Sequence, residues 1–115
     1  MDDLLTFFKT LSDPNRLRIV ALLLEAGEMC VCDIERVLAL PQARVSRHLT
    51  LLRSARIVKA RRSGQWMYYS LTPDGALQKT VYRELRTSIA ATPELAADLE
   101  TLRADHASCG PACNA

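Results

Sequence analysis

Four cysteines come as two close pairs, Cys30-Val31-Cys32 and Cys109-Gly110-Pro111-Ala112-Cys113. Sulfurs so spaced hold a soft metal ion or close a disulfide, and in a reducing compartment metal or redox chemistry is favoured over structural bridging. A second chemistry lies in the charge. Residues 36–73 carry eight basic side chains (Arg36, Arg44, Arg47, Arg53, Arg56, Lys59, Arg61 and Arg62) and no Asp or Glu. The net charge of +2 conceals this, because the rest of the chain holds seven basic and thirteen acidic residues. A solvated mixed surface rarely excludes acids from 38 consecutive residues. Such a block reads as a polyanion-binding surface on an otherwise acidic molecule. No carboxylate pair, nucleophile–base constellation or Gly-rich phosphate loop stands out, so neither catalysis nor an organic substrate is expected.

Positioning these groups falls to one domain, since 115 residues are too few for two ordinary ones. The mixture of 49% apolar and 24% charged residues is globular, and four Gly with five Pro leave few turns for a many-stranded sandwich. The longest apolar run, Ile19 to Leu24, falls far short of the ~20 residues of a membrane span. Met1-Asp2-Asp3 lacks the basic head of a secretory signal. A cytoplasmic protein with no membrane partner is expected.

Leu4, Leu5, Phe7, Phe8 and Leu11 recur at helical spacing and predict a short helix ending near Ser12. Asp13 or Ser12 as cap and Pro14 at the first position open a nearly all-apolar second helix, which Gly27 closes. A third helix is predicted from about Cys32 to Ala39, with Ile34, Val37 and Leu38 inward. A fourth opens at Pro41 and carries Val45, Leu49, Leu51 and Leu52 to about Ser54. From Ile57 to Leu71 the β-branched and aromatic residues, broken by Ser63-Gly64, predict a hairpin. Leu77, Val81, Leu85 and Ile89 then form one stripe, which Leu95, Leu99 and Leu102 extend after Pro93. Three helices followed by a hairpin give the order of a winged helix-turn-helix, mainly α with a small β-hairpin. Residues 1–106 would form the DNA-binding and dimerisation domain, and residues 107–115 a loose cysteine-bearing tail. The outer stripes (Leu4, Phe7 and Phe8 with Leu77, Val81, Leu85 and Ile89) are expected to bury each other across the two-fold axis of a homodimer.

In that order the fourth helix is the recognition helix. Its exposed N-terminal residues Gln42, Ala43, Arg44, Ser46, Arg47 and His48 would meet the major groove, where Gln suits adenine and Arg suits guanine. The hairpin residues Arg61, Arg62 and Gln65 would lie on the flanking backbone or minor groove. Double-stranded DNA is thus the expected partner. His48 as a metal ligand lacks a second ligand one turn away, and Trp66, Tyr68 and Tyr69 read as hairpin packing rather than a base-stacking platform. His106, near the tail, reads as a solvated histidine rather than a ligand.

Three segments now carry a resemblance: Glu28-Met29-Cys30-Val31-Cys32-Asp33-Ile34, Val45-Ser46-Arg47-His48-Leu49-Thr50-Leu51-Leu52-Arg53 and Gly64-Gln65-Trp66-Met67-Tyr68-Tyr69. With Asp13-Pro14-Asn15-Arg16-Leu17-Arg18 they resemble the ArsR/SmtB family of bacterial metal-sensing repressors, and in particular its arsenic-responsive branch. The resemblance implies a homodimeric repressor that leaves its operator when a thiophilic ion binds. Cys30 and Cys32 at a helix N-terminus suit this, since the helix dipole and free amides favour thiolate. As(III) and Sb(III) form pyramidal three-thiolate complexes, and here the chain departs from the branch: the residue one turn on, Glu35, is not cysteine. Cys109 or Cys113 would complete the site, from the same chain or its partner, unless it is two-coordinate. A site using all four sulfurs would instead suit Cd(II), Pb(II) or Zn(II). A thiol redox sensor is a further alternative.

Overall fold

The computed structural model describes residues 1–73 and 75–106; Cys109, Cys113 and the proposed tail boundary lie outside the described residues. Helices α1 (Asp2–Leu11) and α2 (Pro14–Ala26) meet at Asp13. One Asp13 carboxylate oxygen accepts from the backbone N–H groups of Asn15 and Arg16, both at 3.0 Å. This satisfies two donors that a helix start leaves open, and Pro14 has no N–H to satisfy. Gly27 ends α2 at φ +82°, a conformation that side chains resist. Ile19, Val20, Ala21, Leu22 and Leu23 are all buried, which makes α2 the central helix.

Glu28–Cys30, which the spacing assigns to neither neighbouring helix, forms a short strand, β1. It pairs antiparallel with β3 (Trp66–Leu71), which pairs in turn with β2 (Val58–Ser63), so the wing has three strands in the order β1-β3-β2. Cys30 stands opposite Tyr68, and Tyr68 opposite Arg61, in one row across the sheet. The hairpin turns at Gly64-Gln65, one residue later than expected, with Gly64 at φ +62°. Helix α3 (Val31–Leu38) begins directly on Cys30, and Ile34, Val37 and Leu38 are buried as predicted. Helix α4 (Gln42–Ser54) buries Val45, Leu49 and Leu52. Leu51 is 44% exposed, contrary to expectation, because it falls off the i, i+4, i+7 stripe that the other three define. Ala39 before α4 and Arg56 after it hold left-handed backbone at φ 55° and φ 60°.

Helices α5 (Ala76–Ser88) and α6 (Pro93–His106) correct the expected stripe. Leu95, Leu99 and Leu102 are buried within the chain, where α6 packs on α2 and α3. Arg18 Nε and Nη2 donate to the Asp98 carboxylate at 2.8 and 3.0 Å and pin α6 to α2. Ile89 and Phe7 also belong to the core, at 5% and 2% exposure, and Phe7 packs edge-on against the Tyr82 ring at 6.2 Å. They offer almost no surface to a second chain. Val81 and Leu85 lean half-buried on the core. Leu4, Leu5, Phe8 and Leu77 remain open, at 44–45% exposure. No helix among the described residues is long and apolar enough to cross a membrane.

Candidate metal and nucleic-acid sites

Cys30 ends β1 and serves as the N-cap of α3, while Cys32 lies in the first turn of that helix. Cys30 is 1% exposed and Cys32 half-buried. Each of the two is disulfide-bonded, and their sulfurs lie within 4.8 Å of each other and of an Asp33 carboxylate oxygen. Asp33 was not among the residues singled out from sequence. Its adjacency to Cys32 on the first helical turn was the available signal. Asp33 pairs with Arg36. Once reduced, the cysteines and Asp33 present two soft donors and one hard donor. Two sulfurs suit a thiophilic ion, and an added oxygen suits Zn(II) or Cd(II) more than As(III).

Cys32 also opens into a cleft of about 320 Å³ that it shares with Val31, Glu35, Gln42, Gln65, Trp66 and Met67. Three elements meet there: the start of α3, the start of α4 and the tip of the wing. Gln42, expected in the major groove, and Gln65, expected on the flanking backbone or minor groove, are therefore brought to the cysteine site.

Along α4, Gln42, Ala43, Arg44 and Arg47 are exposed and Ser46 is half-buried. His48 turns inward, which corrects its expected place on the DNA-facing side. Its side chain is 12% exposed, with Nδ1 3.3 Å from Arg16 Nη1 and 3.9 Å from Asp13 Oδ2. The spacing contained the reason, since Val45, His48, Leu49 and Leu52 recur at i, i+3, i+4 and i+7, the pattern of a buried face. On the wing, Arg61, Arg62 and Gln65 are exposed. Arg61 is nonetheless engaged: it forms a two-pronged ion pair with Glu28 of β1 and lies 4.8 Å from the centre of the Tyr68 ring.

Burial holds the His48 pKa below its usual 6.5; Asp13 opposes that shift, and Arg16, Arg44 and Arg47 reinforce it. Between the folded value and 6.5 the unfolded chain therefore binds more protons at this site. The stability His48 contributes is whole above pH 6.5 and is lost as the pH falls through the folded value. His48→Gln should accordingly flatten the acid limb of the stability curve. Denaturant unfolding from about pH 5 to pH 8 checks this, and parallel curves for both proteins would contradict it.

The family described as "Bacterial regulatory protein, arsR family" matches residues 13–60, from the cap of α2 into β2. The arsenic resistance transcriptional regulator ArsR2 of Pseudomonas putida is 41% identical over 91 residues, covering 79% of this chain and 77% of that protein. ArsR1 of the same organism is 48% identical over 67 residues, 58% of this chain, which spans about half (52%) of its length. Among solved structures, the homodimeric winged helix-turn-helix DNA-binding domain Mb0332 of Mycobacterium bovis superposes with a TM-score of 0.65 at 28% identity, over 75% of this chain and 77% of that one. These relatives are transcriptional regulators and not enzymes. A cysteine-bearing strand and helix joined to a three-stranded wing, together with this degree of identity, place the chain in the arsR family of bacterial regulatory proteins.

Proposed function

We propose that the chain is a homodimeric repressor that holds operator DNA through α4 and the wing, and leaves it when As(III) or Sb(III) binds the thiolates of Cys30 and Cys32. The observation that carries this reading is the cleft in which Cys32 faces Gln42 and Gln65. Sulfur chemistry and base reading share one wall there. The donor set fits a thiophilic ion in two of three positions, with Cys109 or Cys113 as the proposed source of a third sulfur. A bound ion ties these sulfurs together. Cys30 belongs to the wing sheet and to the start of α3 alike, so a pull on it moves the wing directly and α4 through the α3 on which it packs. A dimer reads two half-sites ~34–36 Å apart, and a small rotation of each α4 spoils that spacing. Use of all four cysteines would favour Cd(II), Pb(II) or Zn(II) within the same mechanism.

Titration of As(III), Sb(III), Cd(II), Pb(II) and Zn(II) against a preformed protein–operator complex, under reducing conditions, tests this reading. Release by one of these ions at stoichiometric concentration is expected; release by none would refute it. The oxidised state of Cys30 and Cys32 favours one second reading, in which a pair of thiols is joined and DNA is released by oxidation. There the two thiols give two electrons and two protons to a peroxide, which becomes two waters. Release by peroxide without any ion, reversed by reductant, distinguishes it.

The dimer surface follows from what the fold leaves open. Leu4, Phe8 and Leu77 are exposed, and Val81 and Leu85 show their outer edges. Phe8→Glu places a charge where the monomer tolerates it and an apolar dimer contact does not. Sedimentation at low micromolar concentration should show monomer, with circular dichroism showing the parent's helix content. A dimer of undiminished affinity would relocate the interface.

A further inference from the structure

On the wing, the acid-free block is met by an acid from outside it. Glu28, on β1, reaches across the wing to Arg61 on β2: Nε donates to Oε2 at 3.0 Å and Nη2 to Oε1 at 2.7 Å. The pairing skips a strand. β3 lies between, and its Tyr68 ring stacks on the guanidinium at 4.8 Å, so one face of the arginine is held while its fork points at the carboxylate. A two-pronged carboxylate engages the same parallel N–H groups that a DNA phosphate would use.

We propose that Glu28 is an internal competitor for Arg61, occupying the fork that would otherwise grip the DNA backbone, and so a positioning residue that sets how strongly the wing binds. The proposal rests on the reading of the wing as a backbone contact. The pair is solvent-accessible, with side-chain exposures of 56% for Arg61 and 38% for Glu28. An exposed ion pair is weak and exchangeable, so a phosphate displaces the carboxylate rather than being shut out by it. Lys59, on the same strand as Arg61, also acts on Glu28 and gives the carboxylate a second cation to stay near when Arg61 leaves. Glu28 lies two residues before Cys30 on the same three-residue strand, so whatever shifts that strand shifts the competitor as well.

The test uses the full chain and a duplex of unrelated sequence, with affinity measured across a salt series. Glu28→Gln is expected to bind about two- to five-fold tighter near 0.1 M salt and to steepen the log–log salt slope by up to about 0.9, one phosphate contact. Arg61→Ala should weaken binding and make the slope shallower. The double variant should match Arg61→Ala alone, because Glu28 acts only through Arg61. Tightening by Glu28→Gln in the Arg61→Ala background would reduce the effect to general charge removal and overturn the proposal. So would an unchanged or weakened Glu28→Gln while Arg61→Ala still loses affinity. An Arg61→Ala protein that binds as the parent does would overturn the wing contact itself, and the proposal with it. Melting curves equal to the parent's confirm that each variant is folded.

Discussion

Cys32→Ser is expected to hold operator DNA as tightly as the parent and to ignore As(III). Coupling between an effector and a ligand commonly amounts to about a 5- to 150-fold change in affinity, and that whole factor should vanish. Cys32 is the cleaner probe because it is half-buried and faces the cleft, whereas Cys30→Ser also alters a position that is 1% exposed. Both should nevertheless give a repressor that cannot be induced. Removing residues 108–115 should weaken the response and leave part of it, since those residues add only a further sulfur and ordering them costs entropy. The quantity to measure is operator release against free As(III) in the presence of reductant. A tail deletion that abolishes release while Cys30→Ser still responds would centre the site on Cys109 and Cys113.

Arg44→Ala or Arg47→Ala should each remove about 1–3 kcal/mol of operator affinity and relax specificity, as the loss of a base-edge contact does. Both side chains are exposed in the first two turns of α4, opposite the Val45, Leu49 and Leu52 face. The fold and the dimer should therefore survive, and circular dichroism and sedimentation provide the control. Either variant binding operator with parental affinity would take that residue out of the groove. Comparison with unrelated DNA separates the two roles, because a phosphate contact weakens both duplexes alike.

Most of the helical frame is legible because single residues punctuate it. Asp13, Pro14 and Gly27 mark α2 to within a residue, and the buried set on α3 follows from spacing alone. Strand β1 was not legible. Three residues are too few to show alternation, and their pairing is with residues some forty positions away. The Glu28–Arg61 pair escapes for the same reason, being formed only when the sheet closes. Phe7 and Ile89 misled because an apolar stripe records that a face is covered, not whether the cover comes from the same chain. Here Tyr82, Leu95, Leu99 and Leu102 complete the core from within. His48 is different: its inward position was written in the i, i+3, i+4 pattern, and a polar residue type obscured it.

The left-handed residues on either side of α4 bear on how it moves. Ala39 at φ 55° and Arg56 at φ 60° each carry a Cβ where only glycine is at ease, at a cost of about 1–2 kcal/mol apiece. Helix α4 thus hangs between two sprung joints. A reorientation that let either residue leave the left-handed region would recover part of that strain against the cost of disturbing the buried Val45, Leu49 and Leu52. Glycine at either joint would slacken the spring and stabilise the fold, while leaving less stored energy to help the release proposed for α4.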